Sequence, residues 1–294
     1  MTNSVRSLEG KIAVVAGGTR GAGRGIAVAL GAAGATVYVT GRSVRGQASD
    51  MNRKETIEDT VDIIHTNGGV GIPVRVDHTV ESEVRELFER IRQEQQGRLD
   101  ILVNDVWGGD PLCEWTKPFW EHSLSNGWLM QERAVHSHII TSYYAAPLMI
   151  ANRTGLIIEI TDGVDYSYRG QLYYNLAKTS VIHLAKGMAE DLRTHGVTAV
   201  ALTPGFLRSE AMLDHFGVSE ANWQDAAKID PHFIASETPY YIGQAVVALA
   251  SDPQVSEKTG GAFSTWGLSD EYGFKDADDS QPHWGRYFAE HFPS

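Results

Sequence analysis

At 294 residues the chain has room for one large domain or two small ones; with no low-complexity linker, repeat or long charge run it reads as a single α/β domain over residues 1–294, and 42% apolar residues permit a sizeable buried core. A formal net charge of −12 argues against nucleic acid as the main partner, because neutralising phosphates takes clustered Lys and Arg. A single cysteine, Cys113, excludes an internal disulfide framework, and neither a signal-like segment nor a bilayer-spanning apolar run is seen; a soluble cytoplasmic protein without membrane partner or metal site is expected.

Residues 11–30, KIAVVAGGTRGAGRGIAVAL, begin with an apolar run and break at Gly17-Gly18-Thr19-Arg20-Gly21-Ala22-Gly23. Helical spacing resumes at Ile26, Ala27, Ala29 and Leu30. The pattern predicts a buried strand, a tight turn and a helix start. Gly17 can take φ > 0, and Gly21 and Gly23 carry no Cβ, so a phosphate can approach the backbone. Free N–H groups of the helix's first turn then face that phosphate. The G-x-x-x-G-x-G spacing resembles the cofactor loop of the short-chain dehydrogenase/reductase family, and later segments agree with that family in order and spacing. The resemblance covers about residues 8–267 and implies a doubly wound parallel α/β sheet with helices on both faces. It implies that Gly17, Thr19, Arg20, Gly21, Ala22 and Gly23 hold the dinucleotide.

The second strand, residues 35–43, runs into a loop. Dinucleotide folds that use NAD commonly end this strand in an acid for the ribose 2′-hydroxyl. Here Gly41 stands in its place, followed by Arg42 and Ser43. A guanidinium keeps its charge and forks onto a phosphate. Arg20 is a second cation where NADP-preferring relatives often carry one, so NADP(H) is the expected cofactor. Residues 44–66 are polar and helix-competent, and residues 72–78 form the third strand. By resemblance Asp77 and His78 lie beside the adenine, through the Asp side chain and a backbone N–H; Asp77 is also a candidate cap for the next helix. That helix, residues 81–96, is amphipathic, with Val84, Leu87, Phe88 and Ile91 on one face. The fourth strand ends in Asn104-Asp105-Val106-Trp107 where the family usually shows N-N-A-G, so only Asn104 matches, as a residue pinning the sheet edge near the cofactor. Trp107, Trp115, Phe119, Trp120 and Trp128 then crowd one region, as core, interface or part of an apolar substrate pocket.

After the fifth strand, residues 155–163, Tyr174 and Lys178 stand four apart at the start of a helix and share a face. A free phenol titrates near 10, and a nearby ammonium lowers that value towards the working range. Tyr174 then suits proton exchange with a carbonyl or alcohol oxygen. In the family the lysine also holds the nicotinamide ribose. Relatives end the fifth strand in two serines, the second donating to the substrate oxygen; register puts Asp162 there, whereas spacing back from Tyr174 selects Thr161. A carboxylate opposes a developing oxyanion, so Asp162 is either protonated or bound to a substrate hydroxyl or amine, or Thr161 is the donor. The helix asparagine that supports a water chain behind the lysine is replaced by Ala134, with His136 and His138 as candidate substitutes.

Pro204-Gly205-Phe206-Leu207 matches the family turn whose backbone meets the nicotinamide carboxamide, and Ser209 stands where a Thr is common. Residues 206–237 are expected as a substrate flap, the last strand at 259–266, and an irregular tail over 268–294. Three readings follow: an NADP(H)-dependent carbonyl/alcohol oxidoreductase; the same cofactor in imine or enone reduction, epimerisation or dehydration; or a decayed NADP-binding regulatory protein. The resemblance implies a homodimer or homotetramer and a small-molecule substrate.

Overall fold

The computed structural model describes residues 6–292. The chain alternates strand and helix: β1 (Ile12–Ala16), α1 (Gly21–Ala32), β2 (Thr36–Gly41), α2 (Ile57–Thr66), β3 (Val70–Arg75), α3 (Glu81–Glu94) and β4 (Ile101–Asn104). It continues with α4 (Leu124–Gln131), α5 (Ser137–Asn152), β5 (Gly155–Ile160), α6 (Leu172–Leu192), β6 (Val197–Thr203), α7 (Glu210–Phe216), α8 (Pro239–Ser251), β7 (Ala262–Ser264), α9 (Thr265–Tyr272) and α10 (Trp284–His291). The strands form one seven-stranded, all-parallel sheet in the order β3-β2-β1-β4-β5-β6-β7.

Parallel strands covered on both faces should be apolar throughout, and β1 is buried along its whole length. Successive side chains point to opposite faces. Ala13 and Val15 pack with Ile26, Leu30, Ile242 and Val246 of α1 and α8, while Ile12 and Val14 pack with Val84, Phe88 and Ile91 of α3. Two core layers therefore sandwich the sheet. The strand order reverses between β1 and β4, which opens a crevice at the carboxyl ends of these strands. No described helix is long and apolar enough to cross a membrane.

Residues 44–66, read as helix-competent throughout, are helical only from Ile57. There Thr56 and Asp59 form a reciprocal capping box, each side chain taking the other's backbone N–H. The residues before it form a loop pinned by a Val44–Gln47 bridge. The tail is less irregular than expected. Ser264 caps α9, and α10 follows the His283 cap with Trp284, Tyr287 and Phe288 at helical spacing. Trp284 packs edge-on against Phe206 with ring centroids 5.7 Å apart, so the tail packs on the segment expected as a flap. Pro293 and Ser294 of that tail lie outside the described residues.

Candidate active site

Gly17 adopts φ +91°, and a Cβ there would lie 2.4 Å from the Asp105 carbonyl oxygen, so only glycine fits. Its N–H and that of Gly18 both donate to Thr40 O, at 3.0 and 2.9 Å, which ties the turn to β2. At the α1 N-terminus the Gly21 N–H donates to Glu210 Oε2 at 2.7 Å, and Arg24 pairs with the same carboxylate at 3.0 Å. A carboxylate oxygen thus already occupies one donor of the predicted phosphate cradle, as its helix N-terminus should allow. Thr19, Arg20, Gly21 and Ala22 line a cavity of about 1020 Å³ that also reaches Arg42, Asp77, Asp162, Tyr174 and Lys178. The glycine contours and the Ala22 N–H fit a nicotinamide dinucleotide.

Arg42 and Ser43 line the far end of this cavity. Arg42 pairs with Asp50 at 2.8 Å and lies 3.9 Å from Asp77, and Arg133 holds the same Asp50 carboxylate. Asp77 does not cap α3; its Oδ1 accepts the Thr79 N–H and O–H in a local turn. The His78 ring turns inward, with nitrogens 2.7 and 2.8 Å from the hydroxyls of Thr40 and Thr141. Burial pushes its pKa down to about 3. Asn104 is the last residue of β4, at the carboxyl ends of the strands; it is fully buried and is not among the residues that line the cavity. Its Nδ2 donates to Ser142 Oγ and to Glu159 Oε1, at 2.9 and 2.7 Å.

At the other end the Tyr174 hydroxyl donates to Asp162 Oδ2 at 2.8 Å. Burial and the facing Asp162 carboxylate raise the phenol's pKa well above 10, opposite to the lowering expected from Lys178. The ammonium stands off to one side: Lys178 Nζ lies 4.1 Å from the centre of the Trp107 ring and 5.7 Å from that of Tyr174. Thr161 is spoken for, since its hydroxyl donates to the Lys178 carbonyl at 2.6 Å and secures the base of α6 to β5. Asp162 is therefore the strand-end side chain that meets Tyr174. Arg169 approaches Asp162 from behind, at 3.8 Å.

Of the crowded aromatics, Trp107 and Trp115 line the cavity, and each packs on Tyr174, at 5.5 and 5.0 Å between centroids. Phe119, Trp120 and Trp128 point to solvent. Ala134 falls within five residues of π-helix, Glu132–His136, that join α4 to α5. His136 is exposed, and His138 is bound instead to Glu159 Oε2 at 2.6 Å and Val106 O at 3.1 Å, so neither side chain bonds Lys178. Pro204, Gly205, Phe206 and Leu207 line the cavity as expected. The Gly205 N–H, however, is taken by Glu237 Oε2 at 2.8 Å, a carboxyl whose pKa burial pushes up to about 8. From the flap, Met212 and His215 reach the cavity; from the tail, Trp284 and Phe292 do so too.

Sequence reasoning passed over Glu159, Glu210 and Glu237. Glu159 carried a signal, an acid inside the apolar run of a buried strand; the other two meet their partners only through the fold.

The sequence profile of the short chain dehydrogenase family matches residues 11–216. Mouse dehydrogenase/reductase SDR family member 1 is 36% identical over 278 residues, covering 93% of this chain and 85% of the relative. The 7alpha-hydroxysteroid dehydrogenase of Escherichia coli K12 is 31% identical over 206 residues, covering 70% of this chain and 74% of that one. A short chain dehydrogenase structure from Mycobacterium thermoresistibile superposes with a TM-score of 0.78 at 24% identity, covering 95% of this chain and 92% of that one, and so supports the fold. The chain belongs to the short-chain dehydrogenase/reductase family of oxidoreductases, in the branch of dehydrogenase/reductase SDR family member 1.

Proposed function

We propose that the protein is an NADP(H)-dependent oxidoreductase that interconverts a carbonyl and an alcohol on a small molecule. The observation that carries this reading is one cavity lined by the glycine turn, Arg42, Tyr174 and Lys178 together. When bound, the nicotinamide supplies or accepts the hydride. The Ala22 backbone and Arg20 would address the phosphates, and Arg42 the 2′-phosphate, which its fork fits once Asp50 is displaced. Lys178 would meet the nicotinamide ribose. Tyr174 holds the proton that passes to the substrate oxygen in reduction and takes it back in oxidation. Trp107 and Trp115 exclude water around that oxygen, and Asp162 orients the phenol and contacts the substrate's polar group.

A specific observation favours a second reading. The carboxylate facing Tyr174 stabilises positive charge at the reacting carbon, which suits reduction of an imine in its protonated form. NADPH and NADH oxidation over a panel of aldehydes, ketones, imines and enones tests both. Turnover of aldehydes or ketones with NADPH supports the first; turnover confined to imines selects the second. Tight NADPH binding without any turnover would favour a regulatory protein.

A further inference from the structure

Helix α1 leaves the N–H groups of Gly21, Ala22 and Gly23 without partners inside the helix. Glu210 takes the first. The Asp105 carboxyl stands beside Gly23, its Oδ2 2.8 Å from where a Cβ on Gly23 would lie. The Ala22 N–H is claimed by no side chain or loop carbonyl among the described residues, and Ala22 lines the cavity. Asp105 is delivered to this spot by the β1–β4 pairing, its own N–H donating to Ala16 O at 2.9 Å. It too lines the cavity.

Three charged or titratable groups face Asp105: Arg20 from the glycine turn, His138 from α5 and Lys178 from α6. Each favours the carboxylate. The carboxyl is half-buried in the cavity wall, and desolvation there outweighs them and lifts the Asp105 pKa to about 7. A pyrophosphate entering the same cavity brings negative charge against this group, and protonation relieves the repulsion.

We propose that Asp105 is a proton-coupled residue of the dinucleotide site, its carboxyl taking up one proton from solvent as the pyrophosphate of NADP(H) enters beside it. The inference rests on the dinucleotide reading of the cavity. It makes cofactor affinity fall as pH rises above neutrality, and it makes binding consume protons.

Calorimetric titration with NADPH, in two buffers of different ionisation enthalpy, counts those protons. Between about pH 7.5 and 9 the 2′-phosphate is fully ionised and does not contribute. The wild type is expected to take up close to one proton near pH 8, with Kd rising about tenfold per pH unit. Asp105→Asn should show no uptake and a Kd constant within about twofold. Absence of uptake in the wild type, or the same uptake in the variant, overturns the inference while leaving the dinucleotide reading intact. Absence of NADPH binding at every pH overturns both. The proton count on the wild type stands alone should Asp105→Asn misfold, and Asp105→Ser provides a second variant.

Discussion

The Tyr174 hydroxyl and Asp162 Oδ2 are joined by a 2.8 Å hydrogen bond, so the phenol faces a carboxylate. The negative charge disfavours the phenolate and raises the phenol's pKa. Asp162→Asn removes the charge and keeps the shape. In alcohol oxidation, where phenolate is the base, the rising limb of the kcat/KM profile should move to lower pH by roughly one unit or more. Asp162→Ser should raise turnover of simple ketones. A profile unmoved by Asp162→Asn contradicts the assignment of Asp162 as the group that tunes Tyr174.

In the proposed reading Arg42 sets the cofactor preference. Arg42→Ala should weaken NADPH binding by about ten- to a hundredfold and leave NADH within about threefold, because only the former has a 2′-phosphate to lose. Fluorescence titration of both nucleotides reads this directly. Equal losses for the two would assign Arg42 to general electrostatics.

Glu210 ties α7 to the glycine turn through the Gly21 N–H and Arg24. Glu210→Gln weakens both links and should loosen the flap that carries Met212 and His215 over the cavity. Unfolding free energy should fall by about 1 kcal/mol. The KM for the carbonyl substrate should rise more than kcat falls; a pure kcat effect speaks against a flap role.

Glu237 gives a pH signature of stability. Its folded pKa of about 8 lies above the value of an exposed glutamate, so the folded state binds the extra proton. Its contribution is complete below about pH 4 and declines from there until about pH 8, where it is lost. Urea unfolding across this range should show that decline, and Glu237→Gln should flatten it.

The framework was readable because buried parallel strands write themselves as apolar runs, as in Ile12–Ala16, and because the Gly17 turn and the Tyr174/Lys178 spacing are local patterns. Arg42 stands out through the missing acid at Gly41, and it lines the cavity. What stayed hidden depends on distance in space. Glu210 reaches Gly21 across 189 residues, and Asp50 meets Arg133 across 83. The direction of the Tyr174 shift was misread because four-residue spacing puts Lys178 on the same helix face without fixing where its ammonium rests; Trp107 draws it aside. Thr161 and Asp162 could be separated only by seeing the Thr161 hydroxyl bonded to α6. The tail helices escaped notice because α10 is recognisable only through its aromatic spacing.

In the proposed reaction Tyr174 exchanges the proton next to bound NADP(H). The decisive measurement is single-turnover oxidation of NADPH by Tyr174→Phe on a substrate the wild type reduces. The expected result is NADPH binding within about threefold of wild type with hydride transfer slowed about a thousandfold. Hydride transfer at the wild-type rate in that variant would exclude Tyr174 as the proton donor.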